Sequence, residues 1–119
     1  MRAQGRGYRG PLMQPKQSSR EAPLELFIFA RFHAHEDQDA AVAAALRAVV
    51  IPTRAEPGCL AINAFRSTRD RRLFFIHSRW LDEAAFETHA TLSHTVRFIA
   101  LVQTLIDHPL EVTRTQSLG

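Results

Sequence analysis

The segment Leu24-Glu25-Leu26-Phe27-Ile28-Phe29-Ala30-Arg31-Phe32-His33 is apolar at nearly every position of its middle. As a strand it must therefore be covered on both faces, because alternate side chains point to opposite sides of a sheet. Arg72 to Trp80, with Leu73-Phe74-Phe75-Ile76 at its start, has the same character. Helices can cover one face of such a sheet, and the other face needs a different cover. That requirement limits the folds open to this chain more than its composition does.

The periods between and after these strands supply the rest of the architecture. Glu36 to Ala55 reads as a helix with Glu36, Asp37 and Asp39 at its positive dipole end and a stripe of Val42, Leu46 and Val49. Pro52 should kink or end it, and Glu56-Pro57-Gly58 supplies a stop. Cys59 to Arg66 is the second strand and Arg72 to Trp80 the third, joined across the short polar Ser67 to Arg71 as a hairpin. Asp82 is placed to cap a short helix through about His89. Ser93 is placed to cap a longer one carrying Val96, Ile99, Val102 and Ile106, before Pro109 breaks it. Leu110 to Thr115 alternates as a last, half-exposed strand.

The resulting order, βαββαβ, predicts an α+β, ferredoxin-like domain over residues 23–119: a four-stranded antiparallel sheet with the helices on one face. The uncovered apolar face then predicts a homodimer formed by sheet-to-sheet packing. A chain of 119 residues suits one such domain.

Charge is unevenly placed. Residues 1–22 hold Arg2, Arg6, Arg9, Lys16 and Arg20 against Glu21 alone, more than the whole chain's net +3, so the remainder is slightly acidic. This Gly-, Arg-, Gln-, Ser- and Pro-rich stretch shows no apolar period and is expected to be a disordered basic tail. Its single Gly5-Arg6-Gly7-Tyr8-Arg9-Gly10 run is too short to assign a nucleic-acid partner. Cys59 alone excludes an internal disulfide and suggests a reducing, cytoplasmic setting. No apolar run approaches the roughly 20 residues that span a bilayer, so no membrane partner is expected.

Reactive side chains concentrate between Phe74 and His94. Alternation along the third strand puts Phe74, Ile76, Ser78 and Trp80 on one face and Leu73, Phe75, His77 and Arg79 on the other. If Trp80 faces the helices, His77 and Arg79 turn toward the partner subunit. Trp80 is suited to wall a pocket and stack on a planar ligand. His33, His35, His89 and His94 raise the question of a metal, but no acidic residue stands at a ligand spacing within these motifs, and none is expected.

Four pieces taken in order resemble a known family: Ala30-Arg31-Phe32 on the first strand, Pro52-Thr53-Arg54-Ala55-Glu56-Pro57-Gly58-Cys59-Leu60 entering the second, Arg79-Trp80 ending the third, and His89 to His94. Together they are similar to the antibiotic biosynthesis monooxygenase domain of the dimeric α/β-barrel superfamily, over about Leu24 to Leu118. The resemblance implies an oxidoreductase without a cofactor, similar to quinol monooxygenases, that oxidises a small phenol, hydroquinone or related metabolite with O2. In such enzymes the substrate supplies the electrons after losing a proton, so the protein needs a dry pocket and a base. The alternative is a dimer of the same fold that binds a small molecule or serves a stress response without catalysis.

His89 and His94 match the family's paired histidines and are the candidates for the base, since imidazole titrates near neutrality. Trp80, Phe86 and Ile76 fall where the quinone-forming branch has Trp, Tyr and Asn. Only the Trp is retained, and His77-Ser78 stands where Tyr-Glu is common. Arg31 offers a positive charge for a phenolate or enolate, and Asn63 a group to orient a carbonyl. The haem-degrading branch has Asn and His where this chain has Arg31 and about Ile99, which argues against haem.

Overall fold

The computed structural model describes residues 24–119. The basic tail expected over residues 1–22 lies outside them. Strand β1 (Leu26–His33) leads into helix α1 (Asp39–Arg54), then β2 (Cys59–Arg66), β3 (Leu73–Trp80), α2 (Glu83–Thr91), α3 (Ser93–Val102) and β4 (Glu111–Thr115). The sheet order is β2-β3-β1-β4, with every pairing antiparallel. This is the ferredoxin-like α+β sheet that the periods predict. No helix among the described residues is long and apolar enough to cross a membrane.

Strict alternation sets what each strand gives to the core. Leu26, Ile28, Ala30 and Phe32 of β1 and Phe74, Ile76, Ser78 and Trp80 of β3 are buried beneath the helices. Val42, Leu46 and Val49 of α1 bury their stripe against this face, joined by Val102 and Ile106. On the opposite face Phe29 and Phe65 are half exposed and Phe75 is 38% exposed, with His77 packed between Phe27 and Phe29. Cross-strand register puts Phe65 beside Phe75 and Phe29 beside His77, so the apolar residues form one surface.

Three local expectations are revised. Pro52 does not end α1, which runs on to Arg54. Only its last turn follows the proline, and Ala55 N–H bonds the carbonyls of Pro52 and Thr53 there. Ser93 does not cap α3; Leu92 holds that position and makes no side-chain cap bond. That helix also stops at Val102 rather than reaching Ile106, because Ile106 leaves it to bridge Ala34 beyond the end of β1.

Candidate active site

Three segments distant in sequence meet at one corner of the sheet. Trp80 ends β3 fully buried, its indole N–H donating to Ser78 Oγ at 2.9 Å, so Ser78 satisfies the one polar group the ring carries inside. Asp82 then caps α2 by accepting from the Ala85 N–H at 2.8 Å. His89 lies in the last turn of α2, and the extended Leu92 turns the chain so that His94 lies in the first turn of α3. The rings of His89 and His94 have centroids 6.1 Å apart.

Glu56 arrives from the loop between α1 and β2. Pairing of Cys59 with Trp80, and the Leu81 N–H on the Gly58 carbonyl at 2.9 Å, press that loop against the start of α2. Glycine is required at position 58 because a Cβ there would collide with Ala85 Cβ. The Glu56 carboxylate, 8% exposed, accepts from His89 Nδ1 at 2.8 Å and from His94 Nε2 at 2.7 Å, both on Oε2. Thr95 Oγ1 lies 3.2 Å from His89 Nδ1. With Nδ1 turned to the carboxylate, Nε2 is left as the His89 nitrogen able to take a proton.

His89 also faces a cavity of about 100 Å³ between the helices and the inner face of the sheet. Ile28, Ala30 and Phe32 of β1 and Ile62 of β2 contribute to its floor, with Ile76 and Ser78 of β3. Phe86 and His89 of α2 and Thr95, Phe98 and Ile99 of α3 cover it. Its exposed members, Ala90 on α2 and Val112 on β4, place the mouth along the β4 edge. Trp80 does not line the cavity; it backs the wall, packed 4.6 Å from the His89 ring and 5.5 Å from Phe86.

The other candidates separate. Ile76 and Phe86 line the cavity with His89, whereas His94 lines a groove between α1 and α3 and is linked through Glu56 to His89 at the cavity wall. Arg31 and Asn63 do not line it. Arg31 stands on the opposite face, 3.9 Å from Glu111, and Asn63, beside His77 on that face, accepts from Arg54 Nη2 at 3.0 Å. His33 lies at the far end of β1, bonded to Asp107 and Asp70. Cys59 makes a poor nucleophile, since burial, and after it the charge of Glu56, push its thiol upward.

Glu56 is the residue the motif reading passed over, taking it for part of a helix stop. It precedes His89 by 33 positions, so no spacing rule ties them. The available signal is topological: if β2 pairs with β3, the residues just before Cys59 must lie beside those just after Trp80. Glu56, His89 and His94 have donor atoms within 4.8 Å of one another, as metal ligands do. Here both rings converge on one carboxylate oxygen at the lengths of charge-assisted hydrogen bonds, so that oxygen occupies the point of convergence.

A model of the family described as antibiotic biosynthesis monooxygenase matches residues 26–101. The chain belongs to that family. Among members of known sequence it is similar to "Putative monooxygenase Rv0793" of Mycobacterium tuberculosis, 31% identical over 86 residues, 72% of this chain and 84% of the relative. Among solved structures it is similar to PA3566 of Pseudomonas aeruginosa, with TM-score 0.77 and 29% identity over 83% of this chain and 99% of that one. It also shares its fold with a mutant of SnoaB, a cofactor-independent oxygenase from Streptomyces nogalater, at TM-score 0.71 and 15% identity, covering 80% of this chain and 94% of that one. The matched residues 26–101 take in β1 to β3, the helix residues that cover the cavity, and Glu56, His89 and His94, while β4 lies beyond them.

Proposed function

We propose that this chain is a cofactor-independent monooxygenase that oxidises a small phenol or hydroquinone with O2, using His89 as the base. The observation that carries the reading is the His89 ring at the cavity wall with Nδ1 held by the buried Glu56 carboxylate at 2.8 Å. A carboxylate behind an imidazole fixes its tautomer and balances the charge that proton uptake places on the ring. His89 Nε2 accepts the substrate hydroxyl proton, and the electron-rich anion reduces O2. One oxygen atom enters the product and the other leaves as water, so a hydroquinone and O2 give a hydroxyquinone and water, with every electron supplied by the substrate. The apolar cavity keeps the reactive anion and its oxygen adduct away from bulk water.

His94 has a different task in this reading. Its N–H holds the second lone pair of Glu56 Oε2, so it positions the carboxylate and does not meet substrate. The working unit is a homodimer closed by the outer face of the sheet, within the cytoplasm.

Oxygen uptake with a panel of hydroquinones tests the reading. His89→Ala should lower kcat about 10²-fold or more, the range of a lost general base. Glu56→Gln should lower it by a smaller factor while leaving KM nearly unchanged. Turnover unaffected by His89→Ala would refute the role given to that ring, and ligand binding without oxygen uptake in the wild type would favour a binding protein.

A further inference from the structure

The cavity's size and its lack of charge say what it accepts. Its lining contains no Lys, Arg, Asp or Glu. The polar groups at its wall are His89 and the hydroxyls of Thr53, Ser78 and Thr95, and each of these hydroxyls already has a partner: Thr53 donates to the Val49 carbonyl at 2.7 Å, Ser78 accepts from Trp80, and Thr95 Oγ1 lies 3.2 Å from His89 Nδ1. Arg31, the cation that sequence reading would have aimed at an anionic substrate, is on the other face of the sheet. Near the mouth, Arg114 lies 5.1 Å over the Phe86 ring but is held by Glu83 and Glu87 at 3.0 and 2.7 Å.

We infer that the site selects a single aromatic ring carrying hydroxyl and small alkyl groups, and rejects rings with a carboxylate or other fixed charge. The inference rests on the oxygenase reading only for the identity of the hydroxyl partner. An apolar cavity of about 150 Å³ takes up benzene, so a volume of about 100 Å³ holds at most one ring, whose substituents extend toward the mouth. A second fused ring would have to extend past Ala90 and Val112 into solvent, exposing its own apolar surface. Charge decides more strongly than size. Once His89 has taken the phenolic proton, the phenolate faces one imidazolium, which already faces the Glu56 carboxylate. A second anion on the ring would enter an apolar space with no cation left to meet it.

Binding, measured by calorimetry with phenols that are not turned over, tests this without requiring catalysis. Phenol and 4-methylphenol should bind at least tenfold more tightly than 4-hydroxybenzoate, and 4-methylphenol more tightly than 1-naphthol. Ile99→Trp, which adds bulk from the partly exposed face of α3, should weaken 4-methylphenol binding at least tenfold. If that variant does not fold, Ala90→Leu at the mouth provides the same test. Equal affinity for 4-hydroxybenzoate and 4-methylphenol would overturn the charge rule, and tighter binding of 1-naphthol would overturn the size rule. The two failures are distinguishable: selective phenol binding with no oxygen uptake refutes the oxygenase reading alone, while oxygen uptake with carboxylated quinols refutes the selectivity alone.

Discussion

His33 shows how much a single side chain can tie together away from the cavity. Its Nδ1 meets Asp107 at 2.7 Å and its Nε2 meets Asp70 at 2.9 Å, which joins the β2–β3 hairpin to the segment after α3. The bond to Asp107, then that to Asp70, raises its pKa above the ordinary 6.5. Asp107 is lowered from 3.8 chiefly by its bond to His33, and Asp70 first by the Arg72 backbone N–H and then by His33. A raised histidine pKa stabilises the fold fully below pH 6.5 and loses that contribution as pH climbs through the folded value. The two lowered carboxylates contribute above about 3.8 and lose it as pH falls through theirs. The cluster should therefore stabilise most between about pH 4 and 6.5. Urea midpoints at pH 6 and pH 8.5 should differ more in the wild type than in His33→Gln, and an unchanged difference would count against the bridge. None of this was legible from the His33-Ala34-His35 pattern, because both carboxylates come from loops whose positions depend on the finished sheet. Ile76, Phe86 and His89, by contrast, were singled out by the resemblance to the family, and alternation along β3 added that Ile76 shares a face with Trp80.

Among the helices, α2 is the one whose stability rests least on packing. None of its nine residues is buried, yet it carries Phe86 and His89 to the cavity. A helix that short is marginal on propensity alone, so its start signal matters more than usual. Asp82→Ala should cost about 1 kcal/mol of unfolding free energy, measured in urea. A loss near zero would show that Trp80 and the Glu56 bonds suffice to hold the helix. Asp82 was readable as a cap because a carboxylate immediately preceded a helical period. Ser93 was misread by the same rule: the chain enters α3 from an extended Leu92 whose carbonyl takes the Thr95 and Val96 N–H groups, which leaves Ser93 inside the helix. The early end of α3 was hidden for a different reason. Ile106 keeps the apolar spacing of a helix while its backbone pairs with Ala34, and a period cannot tell the two apart.

At the scale of the molecule, the described residues leave the outer surface of the sheet uncovered. Phe29, Phe65 and Phe75 stand exposed there with Phe27 and His77. Contiguous apolar surface of this kind marks an interface, and we propose that a second copy covers it. Phe29→Asp should shift sedimentation from dimer to monomer at micromolar concentration, and a wild type that sediments as a monomer would dismiss the pairing. The two-faced apolar character of β1 and β3 made this surface visible in the sequence, while the cavity on the other face was not, since its volume depends on how three helices settle over the strands. That arrangement has a consequence for how such a protein can change. Along β3, Phe74, Ile76 and Ser78 turn inward, with Ile76 and Ser78 at the cavity, and Leu73, Phe75, His77 and Arg79 turn outward. Odd and even positions of one strand thus answer to separate demands, so the chemistry of the ligand can drift by mutation while the assembly stays fixed.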